Sequence, residues 1–429
     1  MSCLKAEHLI IGGGISGLAF ARYSDDFQLF EKEDELGGYC RTIRKGPFIW
    51  DYAGHFFHFK TEEFKRLFVD EVPKDDIIYR DKCTKILYKG AKIDYPFQTN
   101  IHQLPKDEFI DCLYDLFTKT EKESYDSFLD MLYGKFGKSI VEKFLKPYNE
   151  KLYATDLSTL DVDAMGRFFP YADKEAIIRN MKESKNSSYN NSFLYPKAGA
   201  GSFIDILSAE LDKNRVHTGE SVVSIDCKNR LAVTSKGREI EYRHLINTIP
   251  LNVFLPMIGE NSLCEKLSYN KVLVFNLGFS KKSSFTDEHW LYIPDKACNF
   301  YRAGFYDNIL GQDKLSMYIE IGYGKNDVID DKETEKQLAL TLDNLKKLGI
   351  IDGNNRLEAY ASIVMDPAYV HITKDTDALI KAFFARAAEE EIYSIGRYGA
   401  WTYCSMEDCM IAAKKLAEAI KTGAAMIKS

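Results

Sequence analysis

An α/β fold is predicted by three observations. A short apolar run, Leu9-Ile10-Ile11, leads into Gly12-Gly13-Gly14-Ile15-Ser16-Gly17 and then into the helix-like Leu18-Ala19-Phe20-Ala21-Arg22, which is the order strand, glycine turn, helix. Apolar residues keep helical spacing from Pro105 to about Arg179, as in Phe109, Cys112, Leu113, Leu116 and Phe117 and again in Phe128, Met131 and Leu132. From Val272 to about Tyr369 short alternating runs take over and read as antiparallel strands. The first stretch predicts a Rossmann-like dinucleotide-binding domain, the second an inserted helical domain, and the third an antiparallel β-sheet domain for the substrate.

The opening turn carries the most information. Gly12 permits a tight turn, Gly14 lets a pyrophosphate approach the backbone, and Gly17 lets the helix pack close to the strand, so the helix N-terminus can hold the anion. A second strand, Phe27 to Phe30, ends in Glu31, 31 − 12 = 19 residues past the first motif glycine, where an acid would bind the adenosine ribose hydroxyls. Gly37-Gly38 with Arg41 and Thr42 comes too soon to open the next βαβ unit of a nicotinamide-type domain. It offers flexible backbone and one fixed cation beside the expected pyrophosphate.

The aromatic stretch Trp50 to His58 follows, then a short amphipathic helix over Thr61 to Val69 and a strand pair over Ile86 to Tyr95 that turns at Lys89-Gly90. Tyr95-Pro96-Phe97-Gln98 leaves that pair for the helical region, which ends in the polar loop Lys182 to Asn191. Tyr195 to Ser202 returns the chain to the first domain, with strands at Val222 to Ile225, Leu231 to Thr234 and Leu245 to Thr248. One helix, Glu333 to Leu348, interrupts the sheet domain. Ile392 to Arg397 reads as a final strand, followed by a helix from about Ser405 to Lys421. The cofactor domain is thus expected from 1–100, 193–265 and 386–429, the helical insertion from 101–192 and the sheet domain from 266–385.

With 429 residues, 45% of them apolar and 13% aromatic, the chain is long enough for two or three well-buried domains. A net charge of −7 without a basic stripe gives no footprint for nucleic acid. An acidic chain that binds an anion must place its cations locally, so individual arginines carry information. Nine cysteines with no CxxC pair and no His/Cys ligand spacing read as thiols of a reducing compartment, and no metal site is expected. The chain enters its first strand almost at once and has no run approaching ~18 apolar residues, which predicts a cytoplasmic protein without an integral membrane segment. The sequence does not give the oligomeric state, and a homo-oligomer stays open.

The glycine turn, the Gly37-Gly38 segment and the Trp50-Asp51-Tyr52-Ala53-Gly54-His55-Phe56-Phe57-His58 stretch resemble the FAD-binding flavoproteins of the amine-oxidase and UDP-galactopyranose mutase superfamily. Over nearly the whole chain the resemblance is to the eukaryotic-type UDP-galactopyranose mutases. Lys146-Pro147-Tyr148-Asn149-Glu150-Lys151-Leu152-Tyr153-Ala154 is similar to their uridine-holding segment. Gly166-Arg167, Phe300-Tyr301-Arg302-Ala303 and Gly396-Arg397-Tyr398-Gly399-Ala400-Trp401-Thr402-Tyr403 also match.

The resemblance implies FAD, active in its reduced form, with NAD(P)H as a candidate reductant. Gly12, Gly14, Gly17, Glu31, Gly37, Gly38 and Arg41 would hold its dinucleotide part, and Gly54, His55 and Arg397 would lie at the flavin. A UDP-sugar would be bound by Tyr95, Gln98, Asn149, Tyr153 and Asn190, with Tyr292, Tyr369 and Tyr403 at the phosphates. Arg167 and Arg302, from different domains, would clamp the diphosphate, and His55 would orient the reduced flavin. The implied reaction interconverts UDP-galactopyranose and UDP-galactofuranose, a precursor of cell-surface polysaccharide, as N5 of reduced FAD attacks the anomeric carbon. Three positions depart from the family pattern: Tyr153 replaces a Trp, a family tyrosine is replaced near Ile309, and Met406-Glu407 replaces amide side chains. An amine oxidase or protoporphyrinogen-oxidase-like enzyme on the same fold is the alternative, and would favour an apolar or aromatic pocket over paired arginines.

Overall fold

The structure, a computed structural model, describes residues 3–182 and 192–423. Leu4–Ile11 lies at the centre of a sheet that has seven strands among the described residues. It runs parallel to Phe27–Phe30 on one side and to Glu239–Asn247 on the other. Alternate side chains of these strands enter two different cores. Ile10, Leu29 and Ile246 pack with helices Ile15–Arg22, Gly201–Ala209 and Met406–Thr422, whereas Leu9, Ile11, Phe30 and Leu245 pack with Leu251–Met257 and Lys374–Glu389. Burial on both faces explains the unbroken apolar run that marks this strand in the sequence.

The second sheet has eight strands among the described residues, in the order Leu357–Met365, Ser268–Phe279, Ser316–Gly324, Arg302–Phe305, Trp290–Tyr292, Thr84–Tyr88 and Ala91–Asp94, with Val370–His371 also on Ser268–Phe279. Its pairs are antiparallel except Trp290–Tyr292 with Thr84–Tyr88. The hairpin Thr84 to Asp94 comes from the stretch that the sequence assigns to the first cofactor segment, yet it forms an edge of this second sheet. Its turn is legible, since Lys89 and Gly90 both take positive φ, but its partner strand is far along the chain.

One face of the second sheet, with Leu273, Phe275, Leu291, Ala303 and Ile319, is sealed beneath Asp331–Lys347. The other face meets the helical region between Lys106 and Lys182 and carries polar side chains. Asp51 joins the layers. Its buried carboxylate accepts from Thr42 Oγ1 at 2.7 Å, Tyr195 Oη at 2.8 Å and the Ala200 amide at 2.9 Å, and its carbonyl accepts from Asn276 Nδ2 at 2.9 Å.

Two expected boundaries move. The strand expected at Leu245 to Thr248 is the end of the longer Glu239–Asn247, and the strand expected through Arg397 stops at Ser394. Gly396 takes φ +83° and opens a helical turn over Gly396–Gly399, which lifts Arg397 out of the sheet. Among the described residues no helix is long and apolar enough to cross a membrane.

Candidate active site

The glycine turn forms one half of the site. Gly12 takes φ +104°, and a Cβ on Gly17 would overlap the Gly12 carbonyl oxygen, so both positions require glycine for turn and helix to nest. A Cβ on Gly14 would meet open space, which leaves the start of helix Ile15–Arg22 accessible to an anion. Glu31 is held at the strand end, accepting from the Gly13 amide at 2.7 Å and the Glu33 amide at 2.9 Å. The Gly37 amide donates to the Gly13 carbonyl at 2.8 Å, and Gly38 lies against Gly14. Arg41 Nε donates to the Gly38 carbonyl at 2.9 Å, with its guanidinium 4.7 Å from the centre of the Tyr52 ring. Gly12, Gly14, Gly17, Glu31, Gly37, Gly38 and Arg41 thus stand together around the glycine turn.

The other half is a cavity of about 300 Å³ over the polar face of the second sheet. Strand register builds its floor. Trp290 is paired with Gly304 and Tyr292 with Arg302, while Gly304 is paired with Tyr318 and Arg302 with Glu320, so all six positions share a face. Gly304 leaves room for the Tyr318 ring, and Arg302 Nη2 donates to Glu320 Oε1 in a cross-strand ion pair. Glu320 also accepts from Tyr301 Oη at 2.7 Å. Tyr95 and Tyr148 pack on Tyr292, with ring centres 5.1 and 5.0 Å away.

The segment Arg397 to Glu407 closes the cavity. Arg397 Nη1 donates to the Cys404 carbonyl at 3.2 Å, and its guanidinium lies 4.4 Å from the Tyr403 ring centre and 5.3 Å from that of Tyr369. Ser405 caps helix Met406–Thr422 through a capping box with Asp408, and Met406 and Glu407 present the positive end of that helix to the cavity. Glu407 is buried, and its carboxylate accepts from the Lys60 and Thr61 amides and from Thr61 Oγ1 at 2.8 to 2.9 Å.

Lys82 extends between Tyr95 and Trp290, with Nζ 5.1 and 5.4 Å from their ring centres, and has no carboxylate partner among the described residues. Burial, with Arg302 nearby, lowers its pKa to about 8. His55 is likewise drawn down to about 4 by burial, with Arg397 and Arg302 adding to the effect, so its imidazole is neutral near pH 7. Its Nδ1 lies 3.0 Å from the Ala53 carbonyl, and a donating Nδ1–H leaves Nε2 as an acceptor.

Of the residues singled out in the sequence, Gly54, Tyr95, Tyr292, Arg302, Tyr369, Arg397 and Tyr403 line this one cavity. His55 sits next to the wall residues Gly54 and Phe56. Gln98, Asn149 and Tyr153 are buried outside the lining, and each keeps one buried polar atom without a partner: Gln98 Oε1, Asn149 Oδ1 and the Tyr153 hydroxyl. Arg167 stands outside the lining, paired with Asp408, while its neighbour Phe168 is part of the wall. Asn190 lies outside the described residues. Ile309 is fully buried in the core, away from the cavity wall.

Sequence reasoning missed Lys82, Trp290, Tyr148 and Tyr318 as wall residues. Tyr318 had a signal, because period two in Ser316–Gly324 puts it on the face of Glu320; Lys82 had none.

The model of the family described as flavin containing amine oxidoreductase matches residues 15–421. A coproporphyrinogen III oxidase of Staphylococcus aureus is 24% identical over 292 residues, a match covering 59% of this chain and 62% of that protein. Among solved structures, a reduced UDP-galactopyranose mutase is similar with a TM-score of 0.91 at 22% identity, covering 99% of this chain and 97% of the other. Cyclohexylamine oxidase from Brevibacterium oxydans is similar with a TM-score of 0.70 at 14% identity, covering 97% and 99%. At these identities the structural likenesses establish the shared fold.

Proposed function

Since the chain belongs to the flavin-containing amine oxidoreductase family, which implies FAD as its cofactor, we propose that it is a flavin-dependent UDP-galactopyranose mutase. The observation that carries this reading is the charge of the cavity. Lys82, Arg302 and Arg397 line it together; among the described residues the lining holds one carboxylate, Glu407, which is held by backbone amides, while Glu320 stands outside the lining on Arg302 and Tyr301. Such a pocket attracts an anion and disfavours a protonated amine. The match in fold to a UDP-galactopyranose mutase over nearly the whole of both chains supports the same substrate class.

Reduced FAD, when bound, supplies the nucleophile for the anomeric carbon of the sugar. The protein supplies orientation and charge. Arg302 and Lys82 hold the diphosphate and stabilise the charge that develops as it departs. Burial raises the pKa values of Tyr292 and Tyr369, so both hydroxyls stay protonated and donate to phosphate oxygens. Arg167 joins them by exchanging Asp408 for phosphate, a half-exposed ion pair worth ~1 kcal/mol or less. Gln98 Oε1, Asn149 Oδ1 and the Tyr153 hydroxyl, unpartnered as they are, would serve the uracil and sugar. The aromatic walls keep water from the reacting carbon.

The test is conversion of UDP-galactofuranose to UDP-galactopyranose, followed by chromatography. Dithionite-reduced protein should catalyse it and oxidised protein should not. No conversion, together with turnover of coproporphyrinogen by the oxidised form, would replace this reading with an oxidase whose cations hold substrate carboxylates.

A further inference from the structure

Cys404 and Cys409 occupy the two positions that bracket the first turn of helix Met406–Thr422. With Ser405 as the cap, Cys404 immediately precedes the cap and Cys409 is the fourth helical residue, the pair of positions whose side chains meet across a capping box. Their Sγ atoms are 3.5 Å apart, in van der Waals contact, and need to close by only about 1.5 Å to reach disulfide length. Cys404 lines the cavity, whereas Cys409 is buried behind it. The Cys404 carbonyl is the acceptor that holds Arg397.

We propose that Cys404 and Cys409 form a peroxide-reactive dithiol in the cavity wall, closing to a reversible disulfide that shifts Arg397. The chemistry requires a hydroperoxide as oxidant and no metal. The thiol-to-thiol hydrogen bond draws the Cys409 pKa down and, together with burial, pushes that of Cys404 up, so the first proton leaves Cys409 and Cys404 donates its own to the resulting anion. Transfer of the hydrogen-bonded proton from Cys404 to the Cys409 anion places the charge on the sulfur that faces the cavity. Cys404 sulfur attacks a peroxide oxygen, the O–O bond breaks, and hydroxide leaves to become water, giving a sulfenic acid. Cys409 sulfur then attacks Cys404 sulfur, the S–O bond breaks, and the departing hydroxide takes up the Cys409 proton. Two thiols lose two electrons and two protons, and hydrogen peroxide becomes two waters.

Closure pulls the main chain at Cys404 toward the helix and with it the carbonyl that fixes Arg397. Apart from Cys40, the other six of the nine cysteines serve as internal controls. Cys40, buried close to Cys409 and pushed up to about 12 by burial, is the competing partner. This chemistry belongs to the protein's own sulfurs, whatever substrate the cavity takes.

The experiment uses holoprotein reduced with dithiothreitol, desalted, and exposed to a small excess of hydrogen peroxide. It is then alkylated and digested for mass spectrometry. Expected are loss of labelling at Cys404 and Cys409, a linked peptide lighter by two hydrogens, and recovery of both thiols with dithiothreitol. In Cys409→Ser, Cys404 should stop as a sulfenic acid that dimedone traps. Continued full labelling of both cysteines, over-oxidation of Cys404 without a link, or a Cys40 to Cys409 link would each overturn the proposal.

Discussion

Lys82 carries its charge into the cavity with no carboxylate partner among the described residues, so the protein bears a desolvation cost that a bound anion offsets. Lys82→Met keeps an apolar stem against Tyr95 and Trp290 and removes the charge. Thermal stability should hold or rise, while affinity for UDP, measured by titration calorimetry, should fall by about ten- to a hundredfold, the worth of a hydrogen bond to a charged group. An unchanged Kd would take Lys82 out of the binding site. At this scale the sequence was legible wherever a residue sat in a recognisable string, as with Arg302 and Arg397. Lys82 has no such string around it; its role comes from a strand pairing between distant segments. Gln98, Asn149 and Tyr153 show the converse, since the motif names them and packing then buries them outside the lining.

The helix Met406–Thr422 shows how an element does more than its own stability requires. Glu407 in its first turn reaches across to the amides of Lys60 and Thr61 and so fastens the loop that supplies Phe57, His58 and Phe59 to the cavity. Glu407→Gln leaves one acceptor oxygen where two now serve three donors. A loss of about 1–3 kcal/mol is expected for the stranded amides, read as a lower melting temperature, with faster proteolysis at the 57–61 loop. An unchanged melting curve would mean that water replaces the carboxylate there. The boundaries of this helix were legible from the chain alone, because helix ends are set locally. The purpose of Glu407 was not, because its partners lie more than three hundred residues earlier.

Across the whole molecule, burial holds His8, His55, His58, His289 and His371 near a pKa of about 4, against an ordinary value of 6.5. These groups take up protons more readily when unfolded, so their contribution to stability is complete above pH 6.5 and is lost as the pH falls toward 4. Asp51 and Asp307 act in the opposite sense. Burial raises each from 3.8 to about 7, so their contribution is present below 3.8 and disappears as the pH rises to 7. Five groups against two predict a net fall in melting temperature on acidification between pH 6.5 and 4, measurable by differential scanning fluorimetry. A flat or rising profile would contradict the burial of these histidines. The layered plan itself was legible in the strand, helix and alternating patterns, whereas the exchange of strands between sheets was not, because pairing depends on contacts that no local window contains.

The order in which the chain is made follows from one of those pairings. Ile392–Ser394 completes the parallel sheet beside Glu239–Asn247, and the turn that follows it carries Arg397 to the cavity, while the glycine turn was translated more than three hundred and fifty residues before. A nascent chain therefore exposes its phosphate cradle long before it owns the groups that would enclose a flavin. Cofactor capture waits for the segment 392–399, and a chain that stops before Ile392 should be released colourless.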